Sequence, residues 1–270
     1  MPRMKKQCKQ GPRTLTAEKN DNFPLLATAL LLLVIGALVA ASLARNSIYR
    51  AHVTLWKDIT ERSPNKRRAH ENYGQALSTA GSVAASEAEA RQLYFEALRE
   101  FQTVISLKDD GSVPLRDLYR EIGVVYFRLG LFDDAISSWR TGLRHAPYDP
   151  SLLNNLSIAL MQKGLIDEAA ASAETALRGD PNMPQALNTL GQVYMAKGDF
   201  EKASGYFQKA LEREPDVPAR YWNIALAMEQ AKKYDLALWY ANKYEAMERN
   251  PAGRQRARQF LMHLRQVSGK

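Results

Sequence analysis

Apolar and polar positions alternate with helical spacing through most of this chain. In Leu118-Tyr119-Arg120-Glu121-Ile122-Gly123-Val124-Val125-Tyr126-Phe127 the apolar residues fall on one helical stripe, and Gly123 marks a point where a partner helix approaches too closely for a larger side chain. The run Leu129-Gly130-Leu131-Phe132-Asp133-Asp134 supplies a glycine to end this helix, A, and acids to begin the next, B, where they complement the helix dipole. Helix B carries Ala135, Trp139 and Leu143, and Pro147 stops it. The unit then recurs. Gly123, Ser157, Gly191 and Ala225 are spaced by 34 residues, as are Ala135, Ala169, Ala203 and Ala237, and the prolines Pro147, Pro181 and Pro215. A fixed period of this length predicts an all-α fold, an α-α superhelix of stacked hairpins, because one hairpin cannot bury its own apolar face.

These residues resemble the tetratricopeptide repeat. One copy is Leu187, Leu190-Gly191, Tyr194, Gly198, Ala203, Phe207, Ala210 and Pro215; another is Tyr119, Ile122-Gly123, Tyr126, Gly130, Ala135, Trp139, Gly142 and Pro147. A third, Leu156-Ser157, Leu160, Gly164, Ala169, Ala173, Ala176 and Pro181, departs at the glycine and at both aromatic slots. A fourth, Tyr221, Ile224-Ala225, Met228 and Ala237, has Arg249 where proline is usual. Upstream, Asn72-Tyr73-Gly74 and Leu77 open another helix A, and Ala97, Phe101 and Val104 belong to its helix B. The step from Gly81 to Ala97 is longer than the pattern allows. Ser86-Glu87-Ala88-Glu89 has the form of a capping box, so the insertion near 82–92 is expected to lengthen helix B. The resemblance implies five repeats over 67–251, followed by a C-terminal capping helix over 252–270.

Leu25 to Ala44 holds no charge and is flanked by Asp21 and Arg45, enough for a helix to span the hydrocarbon of a bilayer. A buried core helix and a cleaved signal peptide ending at Ser42-Leu43-Ala44 are the rivals; the long polar segment before the run favours a retained transmembrane helix over 23–44. A basic tail over 1–22 precedes it. Six Lys or Arg lie before the span and four in the 20 residues after it, which favours repeats outside the cytoplasm; the nearest 15 residues on each side reverse the bias. Cys8 is the only cysteine, so the chain has no disulfide framework. The expectation is a single-pass protein of a bacterial inner membrane with periplasmic repeats. Between span and array, Leu55-Trp56-Lys57-Asp58, Ser63-Pro64-Asn65 and Arg68-Ala69-His70 fit the repeat's phase as a juxtamembrane half repeat over 45–66. This junction resembles the repeat tail of transmembrane and tetratricopeptide repeat-containing glycosyltransferase-like proteins. That likeness implies an alternative role, recruiting protein acceptors as an accessory or remnant of a membrane glycosyltransferase system.

The net charge of +8 is unevenly spread. Residues 1–22 carry six basic and two acidic residues, 45–68 seven and two, and 249–270 six and none. Between them, 69–248 holds 18 basic and 25 acidic residues, so the repeats themselves are acidic and no nucleic-acid partner is expected. Basic residues flanking a span suit anionic head groups. His52, His70, His145 and His263 fall in different segments without metal-ligand spacing, and no phosphate loop or nucleophile elbow appears. The expectation is a non-enzymatic scaffold with no cofactor and no metal.

In tetratricopeptide arrays helix A lines the concave groove. Asn72, Asn155 and Asn223 share one phase, with Asn154 and Asn188 one position earlier; Glu121 and Thr189 interrupt the series. The repeat domain of O-linked N-acetylglucosamine transferase holds a peptide backbone with asparagines at that phase, and the resemblance implies the same here, since an amide both donates and accepts. Solvated consensus asparagines are the alternative. Phe127, Met161 and Met195 recur at 34 and are expected to line the groove's middle with Trp222 near its C-terminal end, or else to pack on the adjacent helix A. The expected partners are peptide segments or helices of other proteins, with homo-oligomerisation through open solenoid ends as a further possibility.

Overall fold

Helices account for nearly all of this computed structural model, which describes the backbone of residues 23–269 and the side chains of residues 28, 30–38 and 49–269. Twelve helices and no strand occur among the described residues: α1 Phe23–Arg62, α2 Arg67–Ser82, α3 Glu87–Ser106, α4 Leu115–Arg128, α5 Phe132–His145, α6 Pro150–Gln162, α7 Ile166–Gly179, α8 Pro184–Ala196, α9 Phe200–Arg213, α10 Pro218–Gln230, α11 Tyr234–Met247 and α12 Pro251–Ser268. The chain divides between Ile48 and Tyr49 into two compact units.

In the first unit α1 passes the expected boundary at 44/45 without ending. Leu30 to Ile35 and Leu38 are exposed. Among the described residues no helix is long and apolar enough to cross a membrane. Within the uncharged run the side chains described are those of Thr28 and residues 30–38 alone, so the full 20-residue stretch lies outside that statement. The tail with Cys8 also lies outside the described residues.

The second unit is a stack of five antiparallel hairpins, α2/α3 to α10/α11, each helix B packing on the next helix A. The last part of α1 adds Val53 and Trp56 to the first core, which is built around Leu77, Tyr94, Phe101, Leu118 and Val125. Further cores centre on Trp139, Leu152 and Leu160, and on Phe207, Ile224 and Leu264.

Each hairpin closes by fitting one residue of helix B against one of helix A. A Cβ on Gly123 would lie 2.3 Å from Trp139 Nε1, and one on Gly191 2.3 Å from Phe207 Cε1, so a ring in helix B requires glycine opposite. In the third hairpin the ring is replaced by Ala173, and Ser157 takes the glycine's place and donates from Oγ to Ala169 O at 2.7 Å. The fifth closes with Ala225 and Ala241, both fully buried. The departures from the repeat pattern are therefore matched on both sides of the contact.

The first hairpin is longer. Gly74 meets Phe101, and seven residues on in α2 and seven back in α3 Gly81 meets Tyr94, so the extension adds one more copy of the same contact. The extra residues are shared between α2, 16 residues long, and α3, 20 residues, rather than confined to 82–92. Gly81 lies inside α2 rather than in the turn. At the start of α3, Ser86 Oγ accepts from Glu89 N at 3.2 Å, and Glu89 Oε2 accepts from Ala85 N at 3.1 Å.

Gly130, Gly164 and Gly198 end helix A with φ of 76°, 74° and 74°. Lys232, the next residue in that 34-step series, takes the same left-handed turn at φ 59°. Helix α12 packs Ala257, Leu261 and Leu264 onto the final hairpin and closes the stack.

Candidate functional site

Helices α2, α4 and α6, and then α8, lie side by side as the A helices of the stack. Between α4 and α6 a cleft of ≈ 520 Å³ opens, lined by Tyr94, Val124, Phe127, Arg128, Trp139, Asn155 and Ile158. Trp139 is held by Nε1 donating to Arg120 O at 3.1 Å, and its ring sits in the gap left by Gly123. Phe127 stands 6.1 Å from it, ring centre to ring centre, and 5.3 Å from Phe132. The cleft thus has a fixed aromatic base. Asn155 and Arg128 are its polar groups; neither has a hydrogen bond or ion pair among the described residues. Together they offer an amide, a guanidinium and an apolar recess, which is chemistry for holding a polypeptide segment.

The predicted asparagines divide into two sets. Asn154 is buried and accepts from Thr189 Oγ1 at 2.9 Å, and Asn223 Nδ2 donates to Asn188 Oδ1 at 2.7 Å. Each bond joins one helix A to the next, 35 residues on, so these side chains clasp neighbouring repeats together. Asn155 and Asn72 are half-buried, and of the two Asn155 lines the cleft. Thr189, which interrupts the asparagine series in the sequence, is Asn154's partner.

The predicted apolar stripe is only partly available. Met161 packs beside Phe127 on the second core, and Met195 packs on the third. Trp222 lies 4.9 Å from Tyr244 and 5.1 Å from Phe260, under the closing helix, and does not line the cleft. The sequence reading passed over Val124, Arg128, Ile158 and Tyr94. Val124 and Ile158 share a 34-residue step one helical turn before Phe127 and Met161, so the period itself carried that signal. Tyr94 lies in the lengthened hairpin, outside the period.

Beyond the cleft, at the N-terminal end of the stack, the surface is charged. Arg67, 2% exposed, donates to Val104 O at 3.0 Å and pairs with Asp109, while Arg68 bonds Glu71 at 2.7 Å and reaches Ser112 O; together they pin the 107–114 linker. Burial raises the Glu71 carboxyl above the usual range, Arg68 opposes this, and Asp117 and Glu121 add to the rise. His70 contacts Glu100 and Pro64 O, and His263 contacts Glu229, so the two serve separate structural roles. Among the described residues no group of three or more His, Cys, Asp or Glu is placed to hold a metal ion.

Two tetratricopeptide-repeat family models match, over residues 120–184 and 160–228. The matched stretch, 120–228, runs from α4 to α10. The chain is similar to the crystal structure of MamA, at 21% identity and a TM-score of 0.51, covering 60% of this chain and 92% of that one. Cut9 with Hcn1 from the APC/C gives 20% identity and a TM-score of 0.61 over 82% of this chain and 40% of that one. YrrB, a tetratricopeptide protein described as having an unusual peptide-binding site, gives 17% and 0.50 over 76% and 97%. In all, 354 solved chains match, so these likenesses establish a widely shared fold and leave the ligand to the cleft's own residues. Comparison with curated proteins gave no match. The solenoid is a fold suited to protein–protein interaction.

Proposed function

We propose that this chain is a non-enzymatic tetratricopeptide scaffold, anchored in a bacterial inner membrane by Leu25–Ala44, whose repeats bind a peptide segment or helix of a partner protein during assembly of an envelope complex. The observation that carries the binding reading is the α4/α6 cleft, where Asn155 and Arg128, unpaired among the described residues, line one recess with the Phe127 and Trp139 rings. An extended segment places its backbone against Asn155 and an apolar side chain over the aromatic base. The peptide-binding site of YrrB, on a similar fold, supports the choice of ligand class. The 20-residue uncharged run supports the anchor.

The test is photo-crosslinking in living cells. A photoreactive residue at Ile158, in the cleft, is expected to capture a discrete protein that the same residue at exposed Ser137 on α5 does not. Equal capture at both sites refutes the binding reading. Protease treatment of spheroplasts addresses the topology: digestion of a C-terminal tag before lysis is expected, and protection until lysis places the repeats in the cytoplasm.

A further inference from the structure

The outward ridge of helix B changes character along the stack. At successive 34-residue steps it reads Asp134, Ser137 and Thr141 on α5; Glu168, Ala171 and Thr175 on α7; Lys202, Gly205 and Lys209 on α9; and Leu236, Trp239 and Lys243 on α11. It begins acidic and small and ends basic and aromatic. On α11, Leu236 is 46% exposed and Trp239 52%, although the indole is large enough to be buried in an ordinary core. Lys243 stands 5.4 Å from the Trp239 ring centre and Lys209 5.4 Å from that of Tyr206, and neither lysine forms an ion pair among the described residues. Tyr240 extends the aromatic surface, edge-on to Trp239 at 4.8 Å and bonded by Gln208 at 3.3 Å.

Helix α12 continues the patch. It carries four arginines and no acid. Arg258 bonds Glu245 of α11 at 2.7 Å, which turns that flank of α12 towards α11. Arg254 and Arg265, four residues before and seven after, share the flank, and Met262, 60% exposed, lies beside them. On this flank Glu245 is matched by Arg258, and Arg254 is turned to Glu248, with which it shares a recess that Asp216 also lines, so Arg265 is the arginine left facing outward.

We infer that the outer surface of α11 and α12 is a contact site for an anionic bilayer surface. Trp239 and Leu236 enter the head-group layer, and Lys243, Lys209 and Arg265 meet lipid phosphates. Three features favour a bilayer over a peptide. Leu236, Trp239, Lys243 and Lys209 lie on outward helix faces rather than in a cleft. A tryptophan and tyrosines flanked by long cationic side chains match the mixed polarity of the interfacial layer. The surplus of arginine without acid suits a dense field of like anionic groups. This inference goes beyond the partner-binding reading and uses none of the α4/α6 cleft.

The test uses the full chain with Cys8→Ser and an environment-sensitive fluorophore on Leu236→Cys, reconstituted into vesicles of neutral phosphatidylcholine or of phosphatidylcholine with one-third phosphatidylglycerol. A blue shift and quenching by a lipid-borne quencher are expected in the anionic vesicles only. Both should fall several-fold in a variant with Lys209, Lys243 and Arg265 changed to Gln, and a probe at Ser137→Cys should stay unshifted. No shift at 236 in anionic vesicles overturns the inference. A shift that instead rises with protein density in neutral vesicles also overturns it and assigns the face to a second copy of the chain. An acidic partner protein would leave the probe unshifted in both lipids, again against the inference. Failure of the anchor is read separately, because a chain without one does not float with neutral vesicles.

Discussion

Replacing Gly191 with alanine tests how the hairpins close. The added Cβ would stand 2.3 Å from Cε1 and 2.4 Å from Cδ1 of Phe207, and ordinary contact begins near 3.4 Å, so the ring must retreat by about 1 Å. Phe207 is 2% exposed and packed in the third core, which leaves little room for that shift. Overpacking of this kind costs about 1–3 kcal/mol, and because a ring and not a flexible chain end is struck, the upper part of that range applies. Alanine recovers roughly 1 kcal/mol of helix propensity. The expected net loss is about 2 kcal/mol. Gly205→Ala supplies the control: a Cβ there meets nothing within 4 Å, so the propensity gain of about 1 kcal/mol is expected undiminished. Urea titrations of the detergent-solubilised chain, followed by helical circular dichroism, compare the two. Hydrogen exchange on α8 and α9 reads the local effect, since a repeat array opens unit by unit. Phe207→Leu in the Gly191→Ala background should recover about 1 kcal/mol beyond the sum of the single changes. If Gly191→Ala unfolds at the wild-type midpoint, or if the double variant is strictly additive, the interlocking account fails.

Ser157→Ala removes the buried bond to Ala169 O and is expected to lower stability by about 1 kcal/mol, read as a lower urea midpoint; an unchanged midpoint means that the hydroxyl adds nothing. Lys232→Gly frees a left-handed turn that three glycines occupy elsewhere and is expected to raise stability by about 1 kcal/mol, seen as a higher thermal midpoint; a lower one argues against the φ of 59° at that residue.

The periodic features were the legible ones. Steps of 34 residues located the helix pairs from 115 to 247, the small residue in each helix A and the turn glycines, because the stack imposes the same contact at every step. The third hairpin looked degenerate as a string, with Ser157 and Ala173 off pattern; in three dimensions they are two halves of one substitution. The cleft was less legible. Asn154 and Asn155 are neighbours in sequence with the same side chain, yet one clasps Thr189 and the other faces the cleft, a difference of 100° around the helix that the asparagine phase alone does not weigh. Trp222 is half-buried against Phe260 of α12, whose docking site depends on tertiary packing. The exposed Trp239 stands where the preceding hairpins have Ser137, Ala171 and Gly205, so the 34-residue period carries no signal for it.

Hairpin length in the first repeat behaves as an adjustable dimension. Tyr94 forms one wall of the cleft because it repeats the Phe101 contact at a distance of seven residues along α3, close to two whole turns. Growth by five would have swung the ring by about 140° to the other side of α3, and the cleft would have lost its wall. Sevenfold steps therefore let a duplicated contact deepen a binding recess while every downstream repeat keeps its orientation. Such an array could change the depth of one recess without redesigning the rest of the stack.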